Sequence, residues 1–132
     1  MKQIYEHSFP STHLTKRGLG IWGEQVAAEF LMQNEVKIID INVRTQSGEI
    51  DIIGCSEGVY IFFEVKTRRS TRYGNPEDAV NKKKQEHIKN SALDYIQSIL
   101  DLDINWRIDV ISIQVNRKNK IEIQWFKNAV NG

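Results

Sequence analysis

Glu-Ile-Asp-Ile-Ile-Gly-Cys at residues 49–55, Ser56-Glu57-Gly58, and then Val-Tyr-Ile-Phe-Phe-Glu-Val-Lys-Thr at residues 59–67 form the stretch whose reading decides the fold. Both runs are rich in β-branched and aromatic residues and a turn signal divides them, which reads as a β-hairpin. With Glu57-Gly58 as a two-residue loop, Ser56 faces Val59 and the numbers of every facing pair sum to 115. Asp51 then faces Glu64, and Ile53 faces Phe62. Directly opposed side chains have Cβ atoms about 4.5–5.5 Å apart, and like charges there repel. Two carboxylates on a partly apolar face are also costly to desolvate. A divalent cation removes both penalties, and hard oxygen ligands at this spacing suit Mg²⁺ or Mn²⁺. A one-residue slip would turn the acids to opposite faces, so the register carries the reading.

Outward from the hairpin, apolar periodicity predicts a helix over residues 19–33, with Ile21, Ala27, Ala28, Phe30 and Leu31 at helical spacing and Gly18 and Gly20 loosening its start. A strand is expected over 36–44, ended by the turn Gln46-Ser47-Gly48. After a basic loop, Asn75 reads as an N-cap and Pro76 as the first turn of a second helix running to about residue 100, with Glu77 and Asp78 complementing its dipole. Its stripe is Val80, Ile88, Ala92, Tyr95, Ile96 and Ile99. Strands over 106–115 and 121–126 close the sheet. The expected architecture is α/β, a central mixed β-sheet flanked by helices in the order α-β-β-β-α-β-β. Residues 1–17 read as a loose N-terminal leader and 18–132 as one domain.

A chain of 132 residues suits a single core without staples. One cysteine, Cys55, excludes an internal disulfide framework and a Cys-based zinc cluster, and favours a reducing compartment. The first residues carry no apolar signal-peptide core, and no apolar run approaches membrane-spanning length. The expected location is the cytoplasm, with no membrane partner. Net charge is only +1, yet residues 66–89 hold eight cations against three anions. Such polarisation can hold a polyanion on one side, although a solvated basic face is an equally good account of a charge run alone.

Lys66 lies two residues after Glu64, on the same side of its strand. Beside a metal it would orient the attacking water and stabilise negative charge developing at a phosphate. The same register sets Glu49 opposite Lys66, so a plain ion pair is the competing reading. Glu24 shares a stripe with Ala27, Ala28 and Leu31, an unusual place for an acid unless it serves the helix dipole. Lys84 stands between Val80 and Ile88 at fourfold spacing, either reaching a cleft over the sheet or snorkelling at the stripe edge. Arg107 and Asp109 form a structural ion pair or support the site from the next strand. His7, His13 and His87 form no set and read as surface residues. Trp22, Trp106 and Trp125 read as packing.

These residues together resemble a family. Gly48-Glu49-Ile50-Asp51-Ile52-Ile53 followed by Phe63-Glu64-Val65-Lys66 looks like the core of the PD-(D/E)XK, or restriction-endonuclease-like, superfamily. The wider set is Gly23-Glu24 with Ala27-Ala28, Asn42 and Arg44, Lys66-Thr67-Arg68, Tyr73-Gly74, Ala79-Val80 with Lys84 and Ala92, and Arg107-Ile108-Asp109-Val110. That set is similar to the YraN-type family of predicted endonucleases, relatives of Holliday-junction resolvases, over about residues 18–126. Asp51 departs from the superfamily name in having no proline before it. The resemblance implies that Asp51, Glu64 and the backbone carbonyl of Val65 hold Mg²⁺ or Mn²⁺. It implies that Lys66 positions the water, that Glu24 stands in for the first-helix acid and a further metal ligand, and that Lys84 is an auxiliary base of the second helix.

The function expected is metal-dependent endonucleolytic hydrolysis of nucleic acid, DNA rather than RNA, with a junction or flap as the structure-selective substrate and a homodimer as a suitable assembly. Arg68, Arg69, Arg72, Lys82, Lys83 and Lys84 would grip the phosphate backbone. The rival is a nucleic-acid-binding module without catalytic turnover, in which the acids are vestigial. A third reading, a purely structural domain, leaves the facing acids without a purpose.

Overall fold

In the computed structural model Glu57 and Gly58 take φ of 52° and 77°, the two left-handed conformations that a type I′ turn requires. The turn fixes the register: Ser56 pairs with Val59, Gly54 with Ile61, Ile53 with Phe62 and Ile52 with Phe63. The structure describes residues 2–5 (backbone only), 14–69, 81–99, 103–116 and 118–130. Its elements are β1 (Lys2–Tyr5), α1 (Lys16–Gln33), β2 (Lys37–Arg44), β3 (Glu49–Ser56), β4 (Val59–Arg68), α2 (Lys82–Ser98), β5 (Asn105–Val115) and β6 (Ile121–Phe126). The strands form one mixed sheet in the order β1-β6-β5-β4-β3-β2. Only β4 and β5 run parallel, joined by the segment that contains α2, which is the crossover a parallel pair needs.

The expected α/β class and the order of its seven elements stand, with one addition and two shifted boundaries. Lys2–Tyr5 is not leader but an edge strand, paired antiparallel with β6 from Lys2 opposite Gln124 to Tyr5 opposite Ile121. A four-residue edge strand is held by its neighbour's ladder and has no period of its own to read. Helix α1 begins at Lys16 rather than residue 19, because Thr15 caps it: its hydroxyl accepts from the Gly18 N–H at 3.0 Å. Helix α2 begins at Lys82, with Asn81 in extended conformation accepting from the Lys84 N–H at 2.9 Å. The cap expected at Asn75, with Pro76, Glu77, Asp78 and Val80, lies outside the described residues, as does Arg72.

Strands β3 and β4 are central, so both of their faces must be covered, and their Ile and Phe runs fit that demand. Trp22, Val26, Ala27, Phe30 and Leu31 of α1 pack with Ile52, Ile61, Phe63, Ile111 and Ile113 on one face. Ile88, Ala92 and Ile96 of α2 pack with Ile53, Phe62, Ile108 and Val110 on the other. Each fully buried side chain of this size contributes roughly 1.5–3 kcal/mol. The three tryptophans serve this packing. Trp22 is buried, Trp106 sits edge-on to Phe62 and Trp125 contacts Phe30 and Phe63.

Asp109 is wholly buried and satisfied by four donor contacts. Arg107 Nε donates at 3.0 and 3.2 Å, Trp125 Nε1 at 2.8 Å and the Asn128 N–H at 2.7 Å. This network ties β5 to β6 and the turn after it, so of the two readings of Arg107 and Asp109 the structural ion pair holds.

Helix α1 runs antiparallel to β4. Gly23 lies on Thr67, while Asn34 and Glu35 border Ser56 and Val59 at the hairpin end. A Cβ on Gly23 would fall 1.8 Å from Thr67 Oγ1 and 2.8 Å from its Cβ. Gly23→Ala is therefore expected to lower stability in urea titration by about 1–3 kcal/mol. Adding Thr67→Ala to that variant should restore most of the loss, and simple additivity of the two changes would contradict the contact.

Candidate active site

The β3–β4 ladder stops at Ile52 and Phe63. Hydrogen-bonded pairs alternate along an antiparallel ladder, so the series set by the turn would next join Ile50 to Val65. Instead the Val65 N–H donates to Asp51 Oδ2 at 2.8 Å. The strands have parted, and a side-chain carboxyl stands where a main-chain carbonyl would. In an extended strand the N–H and C=O of one residue point to the same side, so the Val65 carbonyl faces the same gap.

Into that gap come residues from four elements. A cleft of about 320 Å³ is lined by Glu24 of α1, Gly48, Glu49 and Asp51 at the start of β3, Glu64 of β4, and Lys84, His87 and Ile88 of α2. Glu64 is almost fully buried, and Lys84 Nζ lies 3.1 Å from its Oε1. The Asp51 carboxyl contacts that of Glu64, and the Glu24 carboxyl contacts that of Asp51. The Asn42 amide, with its nitrogen toward the acids, donates to Glu49 Oε1 at 3.2 Å and to Glu24 Oε2 at 3.0 Å. Asn42 holds this position at φ 54°, a left-handed conformation that asparagine tolerates. The turn before β3 is anchored to α2 by the Ser47 N–H, which donates to Asp94 Oδ2 at 2.9 Å. The chain entering Asp51 is thereby fixed from outside the sheet.

Crowded acids on a buried surface resist ionisation. Burial first, and then the charge of Glu64, push the Asp51 carboxyl from 3.8 up to about 7, against the opposing pull of the Val65 N–H and Lys84. Burial and the charge of Asp51 push Glu24 from 4.5 up to about 7, with Asn42 pulling the other way. Lys84 moves upward, held charged chiefly by Glu64.

Of the residues singled out from sequence, Asp51, Glu64, Glu24 and Lys84 meet in this cleft. Lys66 does not line it. It stands on the face of Glu64, half-buried, opposite Ser112 of β5. The ion pair with Glu49 that competed for Lys66 is not formed, and Glu49 is turned to Asn42. Arg68 ends β4, Arg69 follows it, and Lys82 and Lys83 are exposed on the first turn of α2. His87 is exposed, as its surface reading expects, and it also borders the cleft. Its signal was its place three residues after Lys84 on one helix face.

Among the described residues no three His, Cys, Asp or Glu side chains already converge on one point suited to a metal ion. The donors that fit a hard divalent cation are the Asp51 and Glu64 carboxyls, whose mutual repulsion it would relieve, and the carbonyl of Val65. No helix among the described residues is long and apolar enough to cross a membrane.

Comparison with known proteins gives a family whose model, described as an uncharacterised protein family, UPF0102, matches residues 23–113. The matched span includes the cleft residues. A UPF0102 protein of Syntrophomonas wolfei is 42% identical over 106 residues, covering 80% of this chain and 92% of its own. One from Caldicellulosiruptor saccharolyticus is 38% identical over 117 residues, covering 88% and 99%. One from Symbiobacterium thermophilum is 40% identical over 113 residues, covering 86% and 96%.

A carboxyl whose pKa is raised by folding keeps its proton between about pH 4 and 7, where the unfolded chain has lost it. Unfolding then releases protons, and stability falls as pH rises through that window. The metal-free protein should therefore melt higher at pH 5 than at pH 8. Asp51→Asn, which keeps an acceptor for Val65, should raise the melting point at pH 8 and change it little at pH 5. Melts that are flat across this range, or a variant less stable at pH 8, would show that the acids are not destabilised by their neighbours.

Proposed function

The chain belongs to the uncharacterised protein family UPF0102, and we propose that it is a divalent-metal-dependent endonuclease that hydrolyses phosphodiester bonds of nucleic acid. The observation that carries this reading is the contact between the Asp51 and Glu64 carboxyls at the point where β3 and β4 part, with an amine 3.1 Å from Glu64. Asp51, Glu64 and the Val65 carbonyl would hold Mg²⁺ or Mn²⁺, which would supply Lewis acidity toward a water and the phosphate.

The protein's own groups do the rest. Asp51 is oriented by the Val65 N–H, which donates to its Oδ2 at 2.8 Å. Glu64 is buried between the sheet and α2, which holds its rotamer. Lys84 pairs with Glu64 at 3.1 Å, and as a cation beside the scissile phosphate it would stabilise the charge that builds there. Lys66, on the same face of β4, positions the water in the role the superfamily pattern gives it. Glu24, steadied by Asn42, takes a proton or supports the ion from the α1 side. Arg68, Arg69, Lys82, Lys83 and Lys84 hold phosphates without reading bases. DNA, with branched or flapped forms among the candidates, is the substrate class the resemblance favours.

Purified protein with Mn²⁺ or Mg²⁺ is expected to cut at least one of a panel of duplex, flapped, branched and single-stranded substrates. Glu64→Ala should bind the same substrate and leave it intact. Lys84→Ala and Lys66→Ala should each slow cleavage by about 100-fold or more, the scale of losing one transition-state charge contact. Full activity in Lys66→Ala, with loss in Lys84→Ala, would assign the catalytic amine to α2 alone. Binding without cleavage under every metal would instead leave a nucleic-acid-binding module.

A further inference from the structure

Both helices begin with the charge that their dipoles disfavour. The positive end of a helix welcomes acids and repels cations. Yet the first turn of α1 carries Lys16 and Arg17, that of α2 carries Lys82, Lys83 and Lys84, and neither has an acid there. All five side chains are exposed. The fold brings these two turns to one end of the molecule. With Gly23 on Thr67, α1 starts seven residues earlier, about 10 Å beyond that contact at 1.5 Å per residue, past the end of β4. On the other face, the first turn of α2 stands over Glu64. Arg68 and Arg69 continue β4 between them. Among the described residues, Lys16 and Arg17 thus complete on the α1 face a basic rim that Arg68 and Arg69 supply at the strand end and Lys82 to Lys84 on the α2 face.

Resting on the nucleic-acid reading of the cleft, we propose that this rim seats a double-helical segment across the end of the sheet, with Lys16 and Arg17 on one backbone and Lys82 to Lys84 on the other. Helices on opposite faces of a sheet lie about 20 Å apart, two layer spacings of about 10 Å. That separation reaches across a major groove about 12 Å wide to the phosphates on both sides. A single strand without sequence preference is held instead by aromatic platforms on which bases stack. Among the described residues the cleft is lined by no Phe, Tyr or Trp. Cations around a cleft whose described lining offers no stacking surface are suited to duplex backbone.

The test is a double variant, Lys16→Gln with Arg17→Gln, titrated with a fluorescent blunt duplex and with one of its single strands in chelator, where nothing can be cut. Duplex affinity should fall by about 10-fold at low salt, and the slope of log K against log salt should shrink by about 2, one per lost phosphate contact. Single-strand affinity should change by less than about twofold, and the melting point should stay level or rise, because two cations have left a helix start. Unchanged duplex affinity and slope, or an equal loss on the single strand, would overturn the proposal. If the double variant loses duplex affinity while the parent never cleaves with any metal, the rim stands and the nuclease reading fails. If the parent cleaves and the variant binds duplex as the parent does, the nuclease reading stands and the rim fails.

Discussion

A main-chain hydrogen bond that is not made governs the site. The Glu57-Gly58 turn sets the β3–β4 register, and carried two residues beyond Phe63 it would join Val65 to Ile50. The Val65 N–H goes to the Asp51 carboxyl instead. The substitution leaves no buried donor unsatisfied and so has little intrinsic cost. What it produces is a gap in the sheet edged by Asp51, by Glu64 on the neighbouring strand and by the Val65 carbonyl. Helices α1 and α2 then close on that gap from opposite faces, one bringing Glu24 and the other Lys84.

The price of the arrangement is electrostatic. Asp51 and Glu24 have their pKa values pushed to about 7 by burial and by neighbouring acids. Folding rules are broken at the same end of the molecule in a second way, by cations in the first turns of both helices. Neither violation helps the chain fold. Both would be relieved by the metal and polyanion proposed above, and local rules tend to fail where a ligand completes the structure. On β5, beside Phe63, a buried charge is by contrast settled internally: Asp109 is satisfied by Arg107 Nε, Trp125 Nε1 and the Asn128 N–H.

Much of this was legible in the residues. The hairpin register followed from the two-residue Glu57-Gly58 turn, and it delivered Asp51 beside Glu64. Glu24 and Lys84 were visible as charges interrupting apolar helix stripes. What sequence could not supply was long-range. Lys2–Tyr5 is a strand because β6 offers it an edge. The start of α2 was sought at Asn75-Pro76 because that pair carries strong local signals, yet Asn81 caps the described helix. The ion pair of Lys84 with Glu64 has no sequence signal, since spacing along one element cannot reveal which amine a helix packed on the sheet brings within 3.1 Å. His87 is a surface residue, and only the packing of α2 places it beside the cleft as well.

Anomalous diffraction from crystals of the protein grown with Mn²⁺ addresses the paired carboxylates most directly. The expected result is one strong peak bridging Asp51 and Glu64 and touching the Val65 carbonyl, lost in Asp51→Asn. A well-ordered cleft with no peak at millimolar Mn²⁺, or a peak held elsewhere while Glu64 keeps Lys84, would contradict a metal site at the parting of β3 and β4.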